Sequence, residues 1–289
     1  MLTAPRAAAV LSSGSLKHFS EPADNSGAIE FGLGDRFAGP GPLTVGWLGA
    51  RKRLVVPAGE WVVLSANDFT SIHTASLSAS VLREYPVKMT TVVLGKFIDR
   101  RLSALLQMTV NRTALTNRSI SWSSIEGCER SDSARLYEWK LASLSWERAC
   151  IATHYVPAYV IDGDETKTSL GRLTAHATGA AIVSDLYFAD QSNGYAHLRR
   201  VDWPSILPGN EFADANEWTA RNVAASPSRA AYVKALVTWL NAYRRFSAEG
   251  FRNAIHEPDL VAGSPTLANS YALGVGEFDP ASALGSAAQ

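Results

Sequence analysis

Cys128 and Cys150 are the residues whose types and spacing could do chemistry, because they are the only two cysteines of the 289-residue chain. Such a pair can be two buried thiols, a redox pair or one structural disulfide. The pair lacks the C-x-x-C spacing of thioredoxin-like redox sites and zinc ribbons, so neither of those is supported. A bridge would close a loop of about 20 residues and stabilise the fold by about 3 kcal/mol. We expect a disulfide if the protein is exported to an oxidising compartment, with two unrelated buried thiols as the alternative.

A predicted strand carries the second cysteine. Residues 150–156 are rich in β-branched and aromatic side chains, and Pro157 follows them, which predicts a strand that ends at the proline. Because side chains alternate between the two faces of a strand, Cys150, Ala152 and His154 would share one face. A histidine in that position is more often a structural residue of the core or edge than a catalytic one.

Three polar residues are the candidates for a catalytic site. Asp132 and His154, with His73 as a further member, could come together in the folded protein as the site of a hydrolase. The known catalytic signatures are absent, since the chain has no G-x-S-x-G, no H-E-x-x-H, no Walker A loop and no paired C-x-x-C. The six histidines are scattered singly. The sequence therefore leans away from an enzyme and predicts neither a metal nor a cofactor.

The amino-acid composition limits the classes of protein to which this chain can belong. Lysine plus arginine equal aspartate plus glutamate at 27 each, so the net charge is zero, which argues against a nucleic-acid partner. No apolar run reaches the ~18–20 residues of a membrane span. The abundance of Ser, Thr and Ala fits an exported β-rich protein of the periplasm or the medium. The apolar run at residues 7–11 is too short for a signal peptide, so either a signal peptide has been removed or the chain is not exported by that route.

Alternating apolar and polar residues predict several strands. The clearest signal is at residues 87–111, which we interpret as an antiparallel hairpin that turns near Asp99 and Arg100. Residues 180–189 predict a further strand, and residues 194–201 are expected to pair with it.

Shorter strands are expected nearer the beginning of the chain, from residue 43 onwards. Pro57, Ala58 and Gly59 carry a turn signal that would separate two of them. Residues 32–42 contain many glycines and prolines and predict a loop.

One long helix is predicted at residues 226–250. Ser226 is a suitable N-cap, Pro227 fits the first helical turn, and Gly250 provides the C-terminal stop. The buried stripe would consist of Tyr232, Val233, Leu236, Val237, Leu240 and Tyr243. Such a helix is long enough to lie across a sheet, so the fold class is α+β: mainly an antiparallel β-sheet or sandwich with this C-terminal helix packed on it.

The chain divides into three predicted parts. Residues 1–40 form an irregular N-terminal segment, residues 41–256 a single α+β domain, and residues 257–289 a tail that is small, polar and rich in Gly, Ala and Ser. We expect the tail to be weakly ordered because it has little apolar surface to bury.

The motif Cys128-x-Arg130-x-Asp132, then Cys150-x-x-x-His154, resembles a family of exported bacterial proteins for which no activity is assigned. A Trp-rich loop and Ala231-Tyr232-Val233 in a helix that ends with Glu249-Gly250-Phe251 extend the resemblance over residues 87–251. It implies export and the disulfide, and nothing about chemistry.

These features favour a non-catalytic accessory or binding protein of the bacterial envelope, with a protein or small molecule as its partner. Eight tryptophans suit recognition by aromatic anchors, and an open apolar patch around Trp203 and Trp218 is the expected binding surface. The alternative is a hydrolase with a site around His154 and Asp132. A cleft that brings these two within hydrogen-bond reach would favour the enzyme.

Overall fold

The computed structural model describes residues 16–17, 34–45, 52–78, 81–99, 101–111, 134–141, 147–159, 180–190, 194–206, 218–251 and 278. Within these ranges the strands are β1 (Leu16–Lys17), β2 (Arg36–Val45), β3 (Lys52–Ser78), β4 (Val81–Ile98), β5 (Arg101–Asn111), β6 (Arg135–Lys140), β7 (Glu147–Val156), β8 (Ala181–Asp190) and β9 (Tyr195–Asp202). A 3-10 turn at Pro204–Ile206 is followed by helices α1 (Ala220–Ala225) and α2 (Pro227–Phe251).

The strands form one sheet in the order β1-β2-β3-β4-β5-β9-β8-β7-β6. Neighbouring strands run antiparallel, except for the short parallel pair of β1 and β2. Helix α2 packs on this sheet, which confirms the predicted α+β fold in its single-sheet form. No helix in the described part of the chain is long and apolar enough to cross a membrane.

The hairpin predicted at residues 87–111 is confirmed as β4 and β5. Its turn contains Asp99, which has a φ of 48° and so adopts the left-handed conformation that aspartate tolerates better than most residues. Ile98 pairs with Arg101 on the two sides of this turn. The pairing of β8 with β9 is confirmed as well.

Two local predictions near the beginning of the sheet are wrong. Residues 32–42 were expected to be a loop, but strand β2 spans Arg36–Val45. The turn expected at Pro57 to Gly59 is instead part of the 27-residue strand β3. The register of β2 against β3 shifts between Gly39 and Gly41, and Gly59 has a φ of 111°. Strand β3 therefore continues through Pro57 and Gly59 because a bulge accommodates them, where a turn would have ended the strand.

Helix α2 begins as its sequence predicts, and four of the six residues of the predicted stripe are buried, whereas Val233 and Val237 are half-buried. The side-chain oxygen of Ser226 accepts a hydrogen bond from the backbone N–H of Arg229 at 3.4 Å. Tyr232, Leu236, Leu240 and Tyr243 of the predicted stripe are buried, and Trp239 is buried beside them. The hydroxyl of Tyr243 donates to the backbone oxygen of Val55 at 2.5 Å, which fixes the helix to β3.

The sheet buries apolar residues on both faces. The face under α2 carries the larger core cluster, which includes Leu106, Ile151 and Phe188. The opposite face carries a second cluster around Val93, Leu105, Val183, Val201 and Trp203. Side chains alternate along each strand, and several of the other positions on that opposite face are polar; these form the site described below.

Phe278, which lies in the tail predicted to be weakly ordered, is part of the core. Phe278 is 5 % exposed, and its ring lies 5.6 Å from that of Tyr232 and 6.1 Å from that of Trp239. The expectation of a weakly ordered tail is therefore wrong at Phe278, because burial of an aromatic ring against α2 removes a large apolar area from water.

Candidate functional site

The two tryptophans predicted to form an open binding patch are buried instead. Trp203 is 3 % exposed and Trp218 is 1 % exposed. Trp203 meets Tyr159 edge to face at 5.9 Å, and Trp218 meets Tyr232 at 5.3 Å. The expected patch is wrong because the large apolar area of an indole stabilises the fold most when it is removed from water.

Two of the predicted hydrolase residues, His73 and His154, lie on strands that are far apart in the sheet. His73 pairs with Tyr85 on β3, and His154 pairs with Val183 on β7. Five strand-to-strand steps separate β3 from β7 in the sheet order, which amounts to about 24 Å at ~4.8 Å a step. Asp132 lies outside the described residues, so its distance from His154 stays a prediction.

Cys150 is on β7 beside Tyr187 of β8. Among the residues that the structure describes, no cysteine is a free thiol. Cys128 lies outside them, and its bridge to Cys150 stays a prediction. The predicted strand around Cys150 is confirmed as β7, and it ends at Val156 just before Pro157.

An ion-pair cluster lies on the sheet face that α2 leaves uncovered. Nε2 of His197 is 2.7 Å from Oδ1 of Asp185, and Nε of Arg199 donates to the same Oδ1 at 2.7 Å. The carboxyl of Asp185 is buried, whereas the side chains of His197 and Arg199 are 14 % and 27 % exposed. The imidazole of His197 stacks on the ring of Tyr187 at 4.1 Å with an interplanar angle of 9°.

The electrostatics of this cluster define its charge state. Burial opposes ionisation of Asp185, but the hydrogen bonds and charges of His197 and Arg199 outweigh it and lower the pKa from 3.8 to about 2. Burial also lowers the pKa of His197 below 6.5, against the attraction of the Asp185 carboxylate. At neutral pH Asp185 is therefore ionised, His197 is neutral and donates its Nε2–H to Asp185, and the positive charge is on Arg199.

The cluster belongs to a longer row of polar side chains, which we call the polar strip. Residues directly opposite each other on paired strands point to the same face, and the strand registers connect the members from β3 to β8. The polar strip consists of Asn67, Thr91, Gln107, Thr109, Asp185, His197 and Arg199. The hydroxyls of Thr91 and Thr109 lie 2.7 Å apart, within hydrogen-bond distance across β4 and β5.

The polar strip adjoins the apolar cluster of the same face. Leu105 pairs with Val201, and the next positions on the same side, Gln107 and Arg199, pair with each other. Asn67, Thr91, Gln107, His197 and Arg199 are all partly exposed. The polar strip therefore presents hydrogen-bonding groups at the surface, while the apolar side chains beside it, such as Leu105 and Val201, are buried.

Sequence reasoning missed this site, although one signal pointed to it. In β9 the polar residues Tyr195, His197 and Arg199 alternate with Ala196 and Leu198, which predicts a face that is not filled by apolar packing. The pairing of β9 with β8 was predicted, but the alternation within β9 was not followed to its polar side. The pairing of β9 with β5, which adds Gln107 and Thr109, was not predicted.

The described residues suggest no metal ion for this site, and comparison with known proteins assigns the chain to no family. In the part of the chain that the structure describes, no group of three His, Cys, Asp or Glu side chains could hold a metal ion. Comparison with protein-family models, with curated proteins and with solved structures finds no match for this chain. The resemblance to a family of exported bacterial proteins therefore stays a prediction.

Proposed function

We propose that this protein is an exported binding or accessory protein of the bacterial envelope, located in the periplasm or secreted, and that the polar strip contacts its ligand. The observation that carries the proposal is the row of partly exposed hydrogen-bonding side chains from β3 to β9 beside buried apolar residues. Hydrogen bonds within the strip, such as the one between Thr91 and Thr109, hold these side chains in place, and their partial exposure leaves donors and acceptors for a ligand. Their concentration in one row supports a role in recognition.

The chemistry of the polar strip suits an uncharged ligand. Asp185 and Arg199 carry opposite charges that are already paired, and His197 is neutral at pH 7. The amides of Asn67 and Gln107 offer both donors and acceptors. A neutral, hydrogen-bonding ligand such as an oligosaccharide fits this composition better than an anion or a cation.

The test is calorimetric titration with three classes of probe: neutral oligosaccharides, acidic oligosaccharides and short peptides. We expect binding of a neutral oligosaccharide, weakened about tenfold by Gln107→Ala or Asn67→Ala, since a lost hydrogen bond costs about 1 kcal/mol or more. Lys234→Ala is the control, because Lys234 is exposed on α2, away from the strip. The proposal is contradicted if neither Gln107→Ala nor Asn67→Ala changes the affinity. It is also contradicted if none of the neutral oligosaccharides binds.

A hydrolase is the second candidate, and the pair of Asp185 and His197 favours it. A neutral histidine whose Nε2–H is held by an ionised carboxylate can accept a proton at Nδ1, as a general base for water does. Among the residues that the structure describes, Nδ1 of His197 has no hydrogen-bond partner. This moves the proposed catalytic histidine from His154 to His197.

Chromogenic esters and glycosides test the hydrolase. We expect any turnover to disappear in His197→Gln and to persist in His154→Gln, with a rate that falls as the pH drops below the pKa of His197. The hydrolase is rejected if turnover survives in His197→Gln, or if the protein turns over neither esters nor glycosides. The binding function is then the remaining proposal.

A further inference from the structure

Phe69 lies on the same face of the sheet as the polar strip, directly beyond its β3 end. Phe69 is two residues from Asn67 along β3, and side chains two positions apart in a strand share a face. The register agrees, because Asn67 pairs with Thr91 and Phe69 pairs with Met89 without a shift between them. Phe69 therefore adds an aromatic ring to the face that carries the polar strip.

The ring of Phe69 is exposed, whereas its neighbours on this face are buried. Phe69 is 44 % exposed, but Met89 and Val87 on the paired strand are buried. Among the side chains that the structure describes, Phe69 is the only aromatic one that is exposed. An exposed ring keeps a large apolar area in water, and a ligand that covers the ring removes this area from water.

Hydrogen-bonding groups surround this ring at a short distance. Asn67 is about 7 Å away along the strand at ~3.4 Å a residue, and Thr91 is diagonally opposite on β4 at about 7–8 Å. Nδ2 of Asn67 donates to Oγ of Ser65 at 3.0 Å. This bond fixes the amide and leaves its Oδ1 as an acceptor for a ligand hydroxyl. A flat ring that lies on Phe69 would therefore have these groups at its edge.

We propose that Phe69 is a stacking platform for one sugar ring of the ligand, and that this ring is a β-linked glucose. The inference rests on the binding function proposed above and names the kind of sugar. In a β-linked glucose all hydroxyls are equatorial, so both faces of the ring carry only C–H groups. One face can cover Phe69, whose ring face carries negative partial charge that attracts C–H groups, while the hydroxyls at the edge reach Asn67 and Thr91.

An α-linked mannose does not fit the platform. It carries an axial oxygen on each face of the ring, at C1 on one side and at C2 on the other. Neither face can therefore lie flat on the ring of Phe69 without placing a polar group against it. Both sugars are neutral, so a comparison between them isolates the shape of the ring face from charge.

Calorimetric titration with cellotetraose and with α-linked mannotetraose tests the platform. We expect the parent protein to bind cellotetraose at least tenfold more tightly than mannotetraose. Phe69→Leu keeps an apolar side chain but removes the aromatic face, and it should weaken the binding of cellotetraose about tenfold. Phe69→Trp should bind cellotetraose at least as tightly as the parent, because an indole offers a larger face. Its added tryptophan emission should change on binding, when the parent is subtracted.

Ile72→Ala is the matched control. Ile72 is 63 % exposed on the same strand, but it is three residues from Phe69 and therefore on the opposite face. Its removal should leave the binding of cellotetraose unchanged. Circular dichroism of all three variants checks that they fold, as expected for substitutions at exposed positions.

The outcomes separate this inference from the binding function itself. The platform is overturned if Phe69→Leu binds cellotetraose as the parent does, if Ile72→Ala weakens binding equally, or if the parent does not prefer cellotetraose. If Gln107→Ala weakens the binding of a neutral oligosaccharide and Phe69→Leu does not, the binding function stands and only the platform fails. If neither variant has an effect, both fail.

Discussion

Nε2 of His197 lies 2.7 Å from Oδ1 of Asp185 across the paired strands β8 and β9. The two residues depend on each other for their charge state, since Asp185 is ionised beside a histidine that burial keeps neutral. Their effects on stability therefore appear in different ranges of pH, and each can be measured separately.

His197 should make the protein less stable in mild acid. Its pKa is lowered in the folded state, so below the unfolded value of about 6.5 the unfolded chain binds more protons than the folded chain. The free energy of unfolding should fall as the pH drops from about 7 to about 5. Urea denaturation at several pH values measures this slope, and His197→Gln should make it shallower than in the parent. An identical slope in both proteins contradicts the lowered pKa.

Asp185 should contribute stability that is lost only in stronger acid. Its folded pKa of about 2 is below the unfolded value of 3.8, so its contribution is present above pH 3.8 and disappears as the pH falls through the folded value. The difference corresponds to about 2 kcal/mol. Asp185→Asn should lose at least this much at neutral pH, because it also leaves Arg199 without its charge partner. Chemical denaturation at pH 7 checks the loss, and a change below about 0.5 kcal/mol would contradict it.

Leu236 tests the packing of α2 on the sheet. Leu236 is fully buried, so Leu236→Asp places a carboxylate among apolar side chains and should cost several kcal/mol or prevent folding. Lys234→Asp is the matched control, because it introduces the same side chain at an exposed position of the same helix. Circular dichroism during heating compares the two variants. Equal melting temperatures for both would show that the helix is not packed through this stripe.

Helix α2 and the β4–β5 hairpin could be predicted because their signals are local. The N-cap at Ser226, the repeat of apolar residues along α2 and the turn at Asp99 all lie within the element that they define. Strand β3 could not be predicted as one element, since a bulge at Gly59 and a turn there have the same local sequence signal.

The candidate site could be predicted only in part because it depends on contacts between distant strands. Thr109 and His197 are neighbours only because β5 pairs with β9, and 87 intervening residues give no indication of that pairing. The burial of Trp203 and Trp218 has the same origin, since the number of tryptophans does not say which of them the core encloses.

Phe278 should be necessary for full stability, although the tail at residues 257–289 was expected to be weakly ordered. Phe278→Ala removes a buried ring from contact with Tyr232 and Trp239, and such a change costs about 3 kcal/mol or more. Phe69→Ala is the control, because Phe69 is 44 % exposed on β3 and its removal should change stability by less than about 1 kcal/mol. Urea denaturation of both variants measures the difference. If Phe278→Ala is as stable as Phe69→Ala, the ring is not held in the core.

The disulfide predicted between Cys128 and Cys150 would tie the segment before β6 to strand β7. Reduction should lower the free energy of unfolding by about 2–4 kcal/mol, because the bridge restricts the unfolded chain. The intact mass of protein from an oxidising compartment, alkylated under denaturing conditions with and without reductant, gives the direct measurement. We expect no alkylation without reductant and two alkylated thiols after reduction. The double variant Cys128→Ser/Cys150→Ser should then match the reduced protein in stability.

Two thiols that are alkylated without reductant would disprove the bridge. Export would then lose its main argument, and a cytosolic enzyme with two buried thiols would be the better interpretation.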